Sequence, residues 1–189
     1  MNKYVRAVVV VPFGVVKMLW TKLFHMTTFH GSVVCQVSPF TEITMDRTAQ
    51  LSIGKSFKMR DGAKIRVRKG ASCVIGDRTS VNSNNVIACH ERIKIGSGCQ
   101  FSPNVQIYDH DHDFRNANGI GAMKYKTAPI EIGDNVWIGA NTVILRGTKI
   151  GDNCVIGAGS VVRGEYPEGS VIVQKRTETI KKVTIQNPL

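Results

Sequence analysis

The sequence lacks paired cysteines, a feature that often decides the class of a protein. It has five cysteines, none in a CxxC pair and none at the spacing of a structural zinc site. They are Cys35, Cys73, Cys89, Cys99 and Cys154. An odd number without close partners argues against a disulfide framework, so we expect small buried side chains in a reducing compartment.

The sequence also has few aromatic residues and no long hydrophobic run. Aromatics make up 7% of 189 residues, whereas glycine is plentiful with 18, which favours tight turns and aliphatic packing over a helical bundle. The apolar stretch AVVVVPFGVV near the N-terminus is interrupted by Pro12 and Gly14. It is too short to span a bilayer, and no signal-peptidase site follows it.

The residues after this stretch predict a surface helix. Apolar residues recur at helical spacing among lysines; they are Val15, Val16, Met18, Leu19, Trp20, Leu23 and Phe24. Two placements stay open. The helix lies at a membrane interface, where Trp20 and the lysines would be anchors, or it packs on the protein's own body or on another subunit. We expect a cytoplasmic protein, and the first placement would put it at the inner face of the membrane.

Acidic residues are scarce in the first part of the chain. Residues 1–70 hold 12 Lys and Arg against 3 Asp and Glu, whereas residues 71–189 hold 13 against 11. An N-terminal basic patch attracts anions such as nucleic acid, acidic lipid or acidic polysaccharide. The basic stretch KMRDGAKIRVRKG has neither interleaved aromatics nor a nucleic-acid-binding motif, so we expect no nucleic-acid partner.

A six-residue repeat is the strongest pattern present. Aliphatic side chains recur at every sixth position through Ile132, Ile138, Ile144, Ile150, Ile156 and Val162. Earlier series are Ile53, Met59 and Ile65; Ile75, Val81, Ile87 and Ile93; and Ile95, Phe101 and Ile107. Six is neither a helical nor a simple strand period. It predicts a triangular prism of short parallel strands, in which each side is one hexapeptide and one aliphatic residue per side points to the axis.

The segment IGDNVWIGANTVILRGTKIGDNCVIGAGSVV resembles the hexapeptide-repeat acyltransferases, especially the maltose, galactoside and polysaccharide O-acetyltransferases. The resemblance covers about residues 50–173. It implies an all-β fold, a left-handed parallel β-helix of hexapeptide repeats, with an extruded loop and a short N-terminal helix. We expect a helical segment at 1–30, a catalytic β-helix domain at 31–173 with its loop at 108–130, and a tail at 174–189.

The segment QIYDHDHDF lies at the base of the expected loop, where the six-residue pattern stops after Ile107. Long loops in compact folds are usually functional, and a histidine suits general base catalysis because its pKa lies near neutrality. In an extended chain, His110 and His112 share one face and the aspartates share the other. Either Asp109 or Asp111 is a candidate to orient the imidazole.

The resemblance implies specific roles for residues around this loop. The family pattern IYTATH aligns with IYDHDH and places the catalytic base on His112, with His110 beside it on the acceptor side. The family's acceptor-binding asparagine falls on Asn85 in VNSNNVIA, with Asn84 next to it. A structural alternative is that these asparagines occupy corners of the prism, because asparagine tolerates the left-handed conformation.

The resemblance also implies a homotrimer that binds acetyl-coenzyme A between two prisms and needs no metal. The expected donor contacts are Trp137, Gly139, Ala140, Gly157 and Ala158 on the later coils, and Lys175 and Arg176 in the tail. The tail differs from the family's usual GNPAK ending, which leaves the contacts to the nucleotide open. The expected reaction transfers an acetyl group to a hydroxyl of a sugar, in a polysaccharide or a lipid-linked glycan precursor.

Two other functions fit the same prism. A γ-class carbonic anhydrase-like metal hydratase would use three histidines, for which His90, His110 and His112 are the candidates. A non-catalytic β-helix scaffold would keep the repeat without using the histidines. Stoichiometric metal would favour the first of these, and absence of coenzyme A binding would favour the second.

Overall fold

The computed structural model describes residues 3–115, 117–175, 177 and 180, and its body is a parallel β-helix with three faces. The first face has seven strands: Phe29–Gly31, Gln50–Ile53, Ser72–Ile75, Arg92–Ile95, Ile130–Ile132, Lys149–Ile150 and Glu165–Tyr166. The second face has seven: Gln36–Val37, Lys58–Met59, Ser80–Val81, Gln100–Phe101, Trp137–Ile138, Val155–Ile156 and Val171–Ile172. The third face has six: Glu42–Met45, Lys64–Val67, Val86–Cys89, Gln106–Tyr108, Val143–Ile144 and Val161–Val162.

The aliphatic repeat forms the core because every predicted position of the six-residue pattern is buried. On the third face, neighbouring strands stack Ile43, Ile65, Ile87, Ile107, Ile144 and Val162 in one row. Burying each such side chain stabilises the fold by roughly 1.5–3 kcal/mol. The all-β prism predicted from the repeat is confirmed, and its left-handed sense, taken from the family resemblance, stays a prediction.

The coil is built of three hexapeptides only in the turn that follows the arm. There Ile132 pairs with Ile150, and Ile144 pairs with Val162, so each residue pairs with the one that lies three six-residue repeats later in the chain. Earlier coils are longer, because their strands on the first and third faces extend over four residues, as in Gln50–Ile53 and Ser72–Ile75. Four of these longer strands, Gln50–Ile53, Lys64–Val67, Ser72–Ile75 and Arg92–Ile95, bury two side chains each. Ile93 therefore continues the extra inward row of Leu51 and Cys73, not the row of Ile75, which explains the slip of the pattern before Ile95.

The five cysteines lie in the interior, as their spacing predicted. Burial raises the pKa of Cys35 and Cys99, and it raises the pKa of Cys73 to about 12. A thiol that stays protonated at neutral pH is a poor nucleophile. These cysteines therefore act as packing residues.

A helix, Lys3–Phe24, lies against the N-terminal end of the prism. Its inner side is fixed by Met18, which is fully buried, and by Gly14, where an added Cβ would lie 2.7 Å from the carbonyl oxygen of Cys35. Lys17 Nζ donates to the carbonyl oxygen of Thr41 at 2.6 Å. Within the part of the chain that the structure describes, no helix is long and apolar enough to cross a membrane.

An arm leaves the prism between the strands Gln106–Tyr108 and Ile130–Ile132; we use the name for residues 109–129, of which Asn116 is not described. Its base is a two-stranded antiparallel ladder, His110–His112 with Tyr125–Thr127. A short 3-10 helix, Gly119–Ala122, lies farther out. The extruded loop expected from the break in the repeat is therefore present, and it begins with a hairpin that the sequence pattern did not indicate.

Candidate active site

The histidines of the arm lie at one corner of the prism, where the third face leads into the first. We call residues 109–112 the histidine corner. Asp109 follows the strand Gln106–Tyr108 directly and is fully buried, which brings the chain out of the core at a fixed point. The backbone amide of Ala128 donates to the carbonyl oxygen of Asp109 at 3.0 Å, and this bond closes the base of the arm.

The carboxylate of Asp109 is the anchor of this corner. It accepts hydrogen bonds from the backbone amides of His90 and Glu91, both at 2.8 Å, and its Oδ1 lies 3.2 Å from Nδ1 of His110. Burial alone would raise the pKa of Asp109, but the hydrogen bonds from His110, Glu91 and His90 outweigh it and hold the pKa below its usual value. Asp109 is therefore a carboxylate at neutral pH.

His90 and His110 form a stacked pair next to Asp109. Their ring centroids are 3.5 Å apart with 19° between the ring planes, and Tyr125 packs edge-on against both rings. Burial, and after it the positive charge that His110 can carry, lower the pKa of His90 to about 4. His90 is therefore neutral at neutral pH. The side chain of His110 is only 13% exposed.

His112 is the exposed imidazole of the group. Its ring centroid lies 4.7 Å from that of Tyr125, which is its neighbour across the antiparallel ladder. The side chain stands at the surface of the arm, beyond the stacked pair. This places one imidazole within reach of an external molecule and a second imidazole, His110, behind it.

The two aspartates proposed as orienting partners contact other groups than His112. Asp109 contacts His110, as described above. Asp111 accepts a hydrogen bond from Nε of Arg146 at 2.6 Å, which fastens the arm to the next coil of the prism. The carboxylate that meets an imidazole is thus paired with His110, and an orienting contact to His112 stays a prediction.

The predicted donor residues lie mainly at a different corner, between the second and third faces. We call Gly139–Ala140 and Gly157–Ala158 the Gly-Ala corner. A Cβ added to Gly139 would lie 2.5 Å from the backbone nitrogen of Ala158, so the stacking of these coils itself requires glycine. The amides of Gly139 and Gly157 donate at 2.8 Å to Ile156 and Ile172 in the following coil. Because these two amides are already paired, an acetyl donor bound at this corner would contact other backbone groups.

The remaining predicted donor residues are Trp137, Lys175 and Arg176. Trp137 is 53% exposed on the second face, and its Nε1 donates to Oγ of Ser102 at 3.3 Å. Lys175 is exposed beyond the last strand. Its neighbour Gln174 pairs through its side-chain amide with both the N–H and the carbonyl of Val161, which caps the open edge of the third face. Arg176 lies outside the described residues.

Asn84 and Asn85 stand in the same column of corners as the Gly-Ala corner, not at the histidine corner. Asn84 has φ of 59° and belongs to a stack of left-handed corner residues; the stack is Gly62, Asn84, Asn104, Asn141 and Gly159. Asn85 is 1% exposed, and its Oδ1 accepts from the amide of Val105 at 2.5 Å. Both asparagines thus have structural roles here, and the side chain of Asn85 faces the interior.

Metal chemistry finds little support in the geometry of the histidines. Among the described residues no group of three His, Cys, Asp or Glu side chains could hold a metal ion. A metal lies in the ring plane of each histidine that binds it. The rings of His90 and His110 are stacked, with their centroids 3.5 Å apart and 19° between their planes, so they do not direct ring nitrogens in plane toward one metal ion.

Sequence reasoning missed three residues that contact the histidine corner: His90, Tyr125 and Arg146. His90 was considered only as a metal ligand, although its backbone and ring both contact the arm. Tyr125 and Arg146 lie well beyond His112 in the chain, so no local pattern relates them to it. Only the antiparallel ladder and the stacking of coils bring them together.

A search against protein-family models matches residues 129–164 to the family described as bacterial transferase hexapeptide (six repeats). Among curated proteins, the chain is 30% identical over 147 residues to WbbJ of Escherichia coli strain K12, provisionally named a lipopolysaccharide biosynthesis O-acetyl transferase. That match covers 74% of this chain and 75% of WbbJ. A provisionally named acetyltransferase of Saccharomyces cerevisiae is 38% identical over 115 residues, covering 61% of this chain and 58% of the relative. The chain thus spans little more than half the length of that relative.

Solved structures show the same architecture. A hexapeptide-repeat acetyltransferase of Vibrio cholerae complexed with acetyl coenzyme A has a TM-score of 0.55 and 26% identity, and the match covers 82% of this chain and 71% of the other. AntD, an N-acyltransferase of Bacillus cereus in complex with dTDP and 3-hydroxybutyryl-CoA, has a TM-score of 0.67 at 18% identity, covering 82% and 81%. This second likeness concerns the fold alone. With the coverage of WbbJ, the six-residue repeat and the prism, this chain belongs to the hexapeptide-repeat acyltransferase family.

Proposed function

We propose that the protein is an acetyl-coenzyme A-dependent O-acetyltransferase that modifies a hydroxyl group of a sugar. The observation that carries this proposal is the placement of His112, an exposed imidazole on an arm whose base is locked by the buried Asp109. The similarity to WbbJ supports transfer of the acetyl group to a hydroxyl oxygen. The acetyl coenzyme A complex of the Vibrio cholerae protein supports acetyl-coenzyme A as the donor. A polysaccharide or lipid-linked glycan precursor is the proposed acceptor class.

His112 is proposed as the general base in a direct transfer. Its neutral imidazole takes the proton of the sugar hydroxyl while the oxygen attacks the thioester carbonyl. The tetrahedral intermediate collapses, the carbon–sulfur bond breaks, and the imidazolium returns the proton to the leaving thiolate. Atoms and charge balance without a covalent enzyme intermediate, so no serine or cysteine nucleophile is required. This agrees with the raised pKa of the buried thiols.

The donor is proposed to lie along the Gly-Ala corner. Small residues in two successive coils keep this corner free of long side chains, and the exposed ring of Trp137 borders it. This surface suits a narrow pantetheine chain, which is the part of coenzyme A that carries the thioester.

The histidine corner and the Gly-Ala corner lie at opposite ends of the strands of the third face. A strand of this face with its two corners spans about five residues, on the order of 15 Å. A thioester and the base that serves it must approach within a few ångströms. We therefore propose that the histidine corner of one protomer meets the Gly-Ala corner of the next in a cyclic homo-oligomer, for which the family resemblance implies three protomers.

Two histidine variants test the reaction. Thiol release from acetyl-coenzyme A is measured against a panel of nucleotide sugars and lipid-linked glycans, for the native protein, His112→Ala and His110→Ala. We expect His112→Ala to lower turnover by about 100-fold or more, which is the usual contribution of a general base. The affinity for coenzyme A stays nearly unchanged. We expect a smaller loss from His110→Ala.

Other outcomes would change the proposal in defined ways. Full activity in His112→Ala together with none in His110→Ala would move the base to the imidazole held by Asp109. Absence of coenzyme A binding by calorimetry would favour a scaffold over an enzyme. Metal that copurifies at one equivalent and is required for activity would favour the hydratase.

A further inference from the structure

The N-terminal helix carries an apolar surface that the prism does not cover. We define its outer face as Phe13, Val16, Leu19, Trp20, Leu23 and Phe24, which are between 51% and 64% exposed. At about 100° per residue, they occupy one arc of about 140°, and no polar residue of the segment 13–24 falls within it. An exposed apolar patch of this kind marks an interaction surface.

The helix cannot turn this face inward, because its other side is fastened to the prism. Met18 is fully buried, and Gly14 lies so close to the backbone of Cys35 and Val37 that a side chain there would clash. Lys17 Nζ is held by the carbonyl oxygens of Pro39 and Thr41 and by the Thr41 hydroxyl. The two placements that the sequence left open therefore apply to different sides of one helix. The inner side packs on the protein and the outer face points away from it.

The net charge of the N-terminal segment points to an anionic partner for the outer face. The first 41 residues contain four Lys and Arg and no Asp or Glu. Lys22 is exposed near one border of the face. An anionic bilayer surface complements this charge, at about 1 kcal/mol for each basic residue near it. A second copy of the same helix would bring like charges together.

The side chains of the outer face also suit a bilayer interface. Trp20 and Phe24 contact each other, with ring centroids 4.8 Å apart, and both are exposed. Tryptophan is enriched at the level of the lipid headgroups, and helices with one apolar face and flanking lysines lie in the plane of the interface. No described helix is long and apolar enough to cross the bilayer.

We propose that the outer face of the N-terminal helix docks the protein on an anionic membrane surface. This inference does not depend on the acetyl-transfer reaction. The helix lies in the interface, with the outer face in the headgroup region and the prism on the aqueous side.

The test is cosedimentation of the full chain with vesicles of phosphatidylcholine alone and of phosphatidylcholine mixed with the anionic lipid phosphatidylglycerol. The test variant is the double substitution Trp20→Glu with Leu23→Glu. The matched control is Val171→Glu with Val173→Glu, which places the same charges on two similarly exposed apolar residues at the other end of the prism. Size-exclusion chromatography with light scattering records the oligomeric state of each protein.

We expect binding to the anionic vesicles that weakens with added salt, at least a tenfold loss of binding in the test variant, and no more than a twofold loss in the control. In a Trp137→Phe background, the fluorescence of Trp20 shifts to the blue on binding. Failure of the native protein to bind anionic vesicles overturns the proposal, and so does equal binding of the test variant. A test variant that dissociates into smaller species assigns the outer face to subunit contact and also overturns it.

Discussion

The two ends of the third face differ in how much they depend on long-range structure. The Gly-Ala corner repeats in successive coils, and close stacking requires glycine at position 139, because an added Cβ there would lie 2.5 Å from the backbone nitrogen of Ala158. The histidine corner occurs once and joins a buried carboxylate, two stacked imidazoles and an arm. The regular end thus offers a repeated backbone surface, whereas the irregular end carries the titratable groups.

The largest expected effect comes from filling the Gly-Ala corner. Ala158 is exposed, so Ala158→Trp leaves the core untouched while obstructing the surface proposed for pantetheine. We expect coenzyme A affinity measured by calorimetry to fall by about 100-fold, the loss of most contacts of one ligand segment. Ala158→Ser changes the same position with little added volume and serves as the control. We expect it to keep the native affinity for coenzyme A. Unchanged binding in Ala158→Trp would place the donor elsewhere.

The next effect concerns the anchor of the histidine corner. Asp109→Ala leaves the amides of His90 and Glu91 without partners in a buried site. Each unpaired buried group costs about 1–3 kcal/mol, so we expect the free energy of unfolding to fall by roughly 2–4 kcal/mol in urea titrations. Asp111→Ala, which breaks a partly exposed ion pair with Arg146, costs less than about 1 kcal/mol. Equal costs would contradict the anchoring role of Asp109.

A smaller effect tests the packing of the regular end. Gly139→Ala places a methyl group against the backbone of Ala158, which cannot yield as a flexible side chain would. We expect a loss of about 1–3 kcal/mol in thermal or urea unfolding. Gly121→Ala, in the arm where an added Cβ meets no atom within 4 Å, provides the control and changes stability by a few tenths of a kcal/mol. A harmless Gly139→Ala would show that the coils can separate.

The last effect is the pH dependence that His90 introduces. Its pKa is about 4 in the folded protein and about 6.5 in the unfolded chain, so between these values the unfolded state binds more protons. Stability therefore falls as the pH drops from 6.5 to 4. Asp109, whose pKa is lowered, loses its contribution only below its unfolded value near 3.8.

We expect His90→Phe to flatten the change of melting temperature over this range. The charged and titratable groups around the ring are retained in the variant; they are Asp109, His110, His112, Tyr125 and Arg68. An unchanged slope would mean that His90 titrates normally in the folded protein.

The fold was largely predictable from the sequence, because one side chain in six points to the same axis. Ile132 to Val162 follow this rule without a break, and all lie in the core. The earlier coils were harder to read, since four of their longer strands bury two side chains each, as in Ile93 and Ile95. Nothing local in the sequence signals that a side of the prism lengthens.

The site was predictable only in part. The arm and its histidines were found because the repeat stops after Ile107. Their partners were not, because His90 and Arg146 belong to neighbouring coils and Tyr125 to the returning strand of the arm. The acceptor role of the asparagines stays a prediction, because a second cause also accounts for Asn84: its corner requires a positive φ, and the same requirement recurs at Asn104 and Asn141.

Complementation between two inactive variants tests most directly whether the two corners act across protomers. His112→Ala and Ala158→Trp are purified separately, then unfolded together in equal amounts and refolded, and thiol release is measured with the acceptor found in the panel. In a cyclic trimer, about three quarters of the assemblies contain both variants and have one intact interface each, so about a quarter of native activity returns. If both corners serve the same protomer, every site carries one defect and the mixture stays as inactive as its components, which would contradict the account.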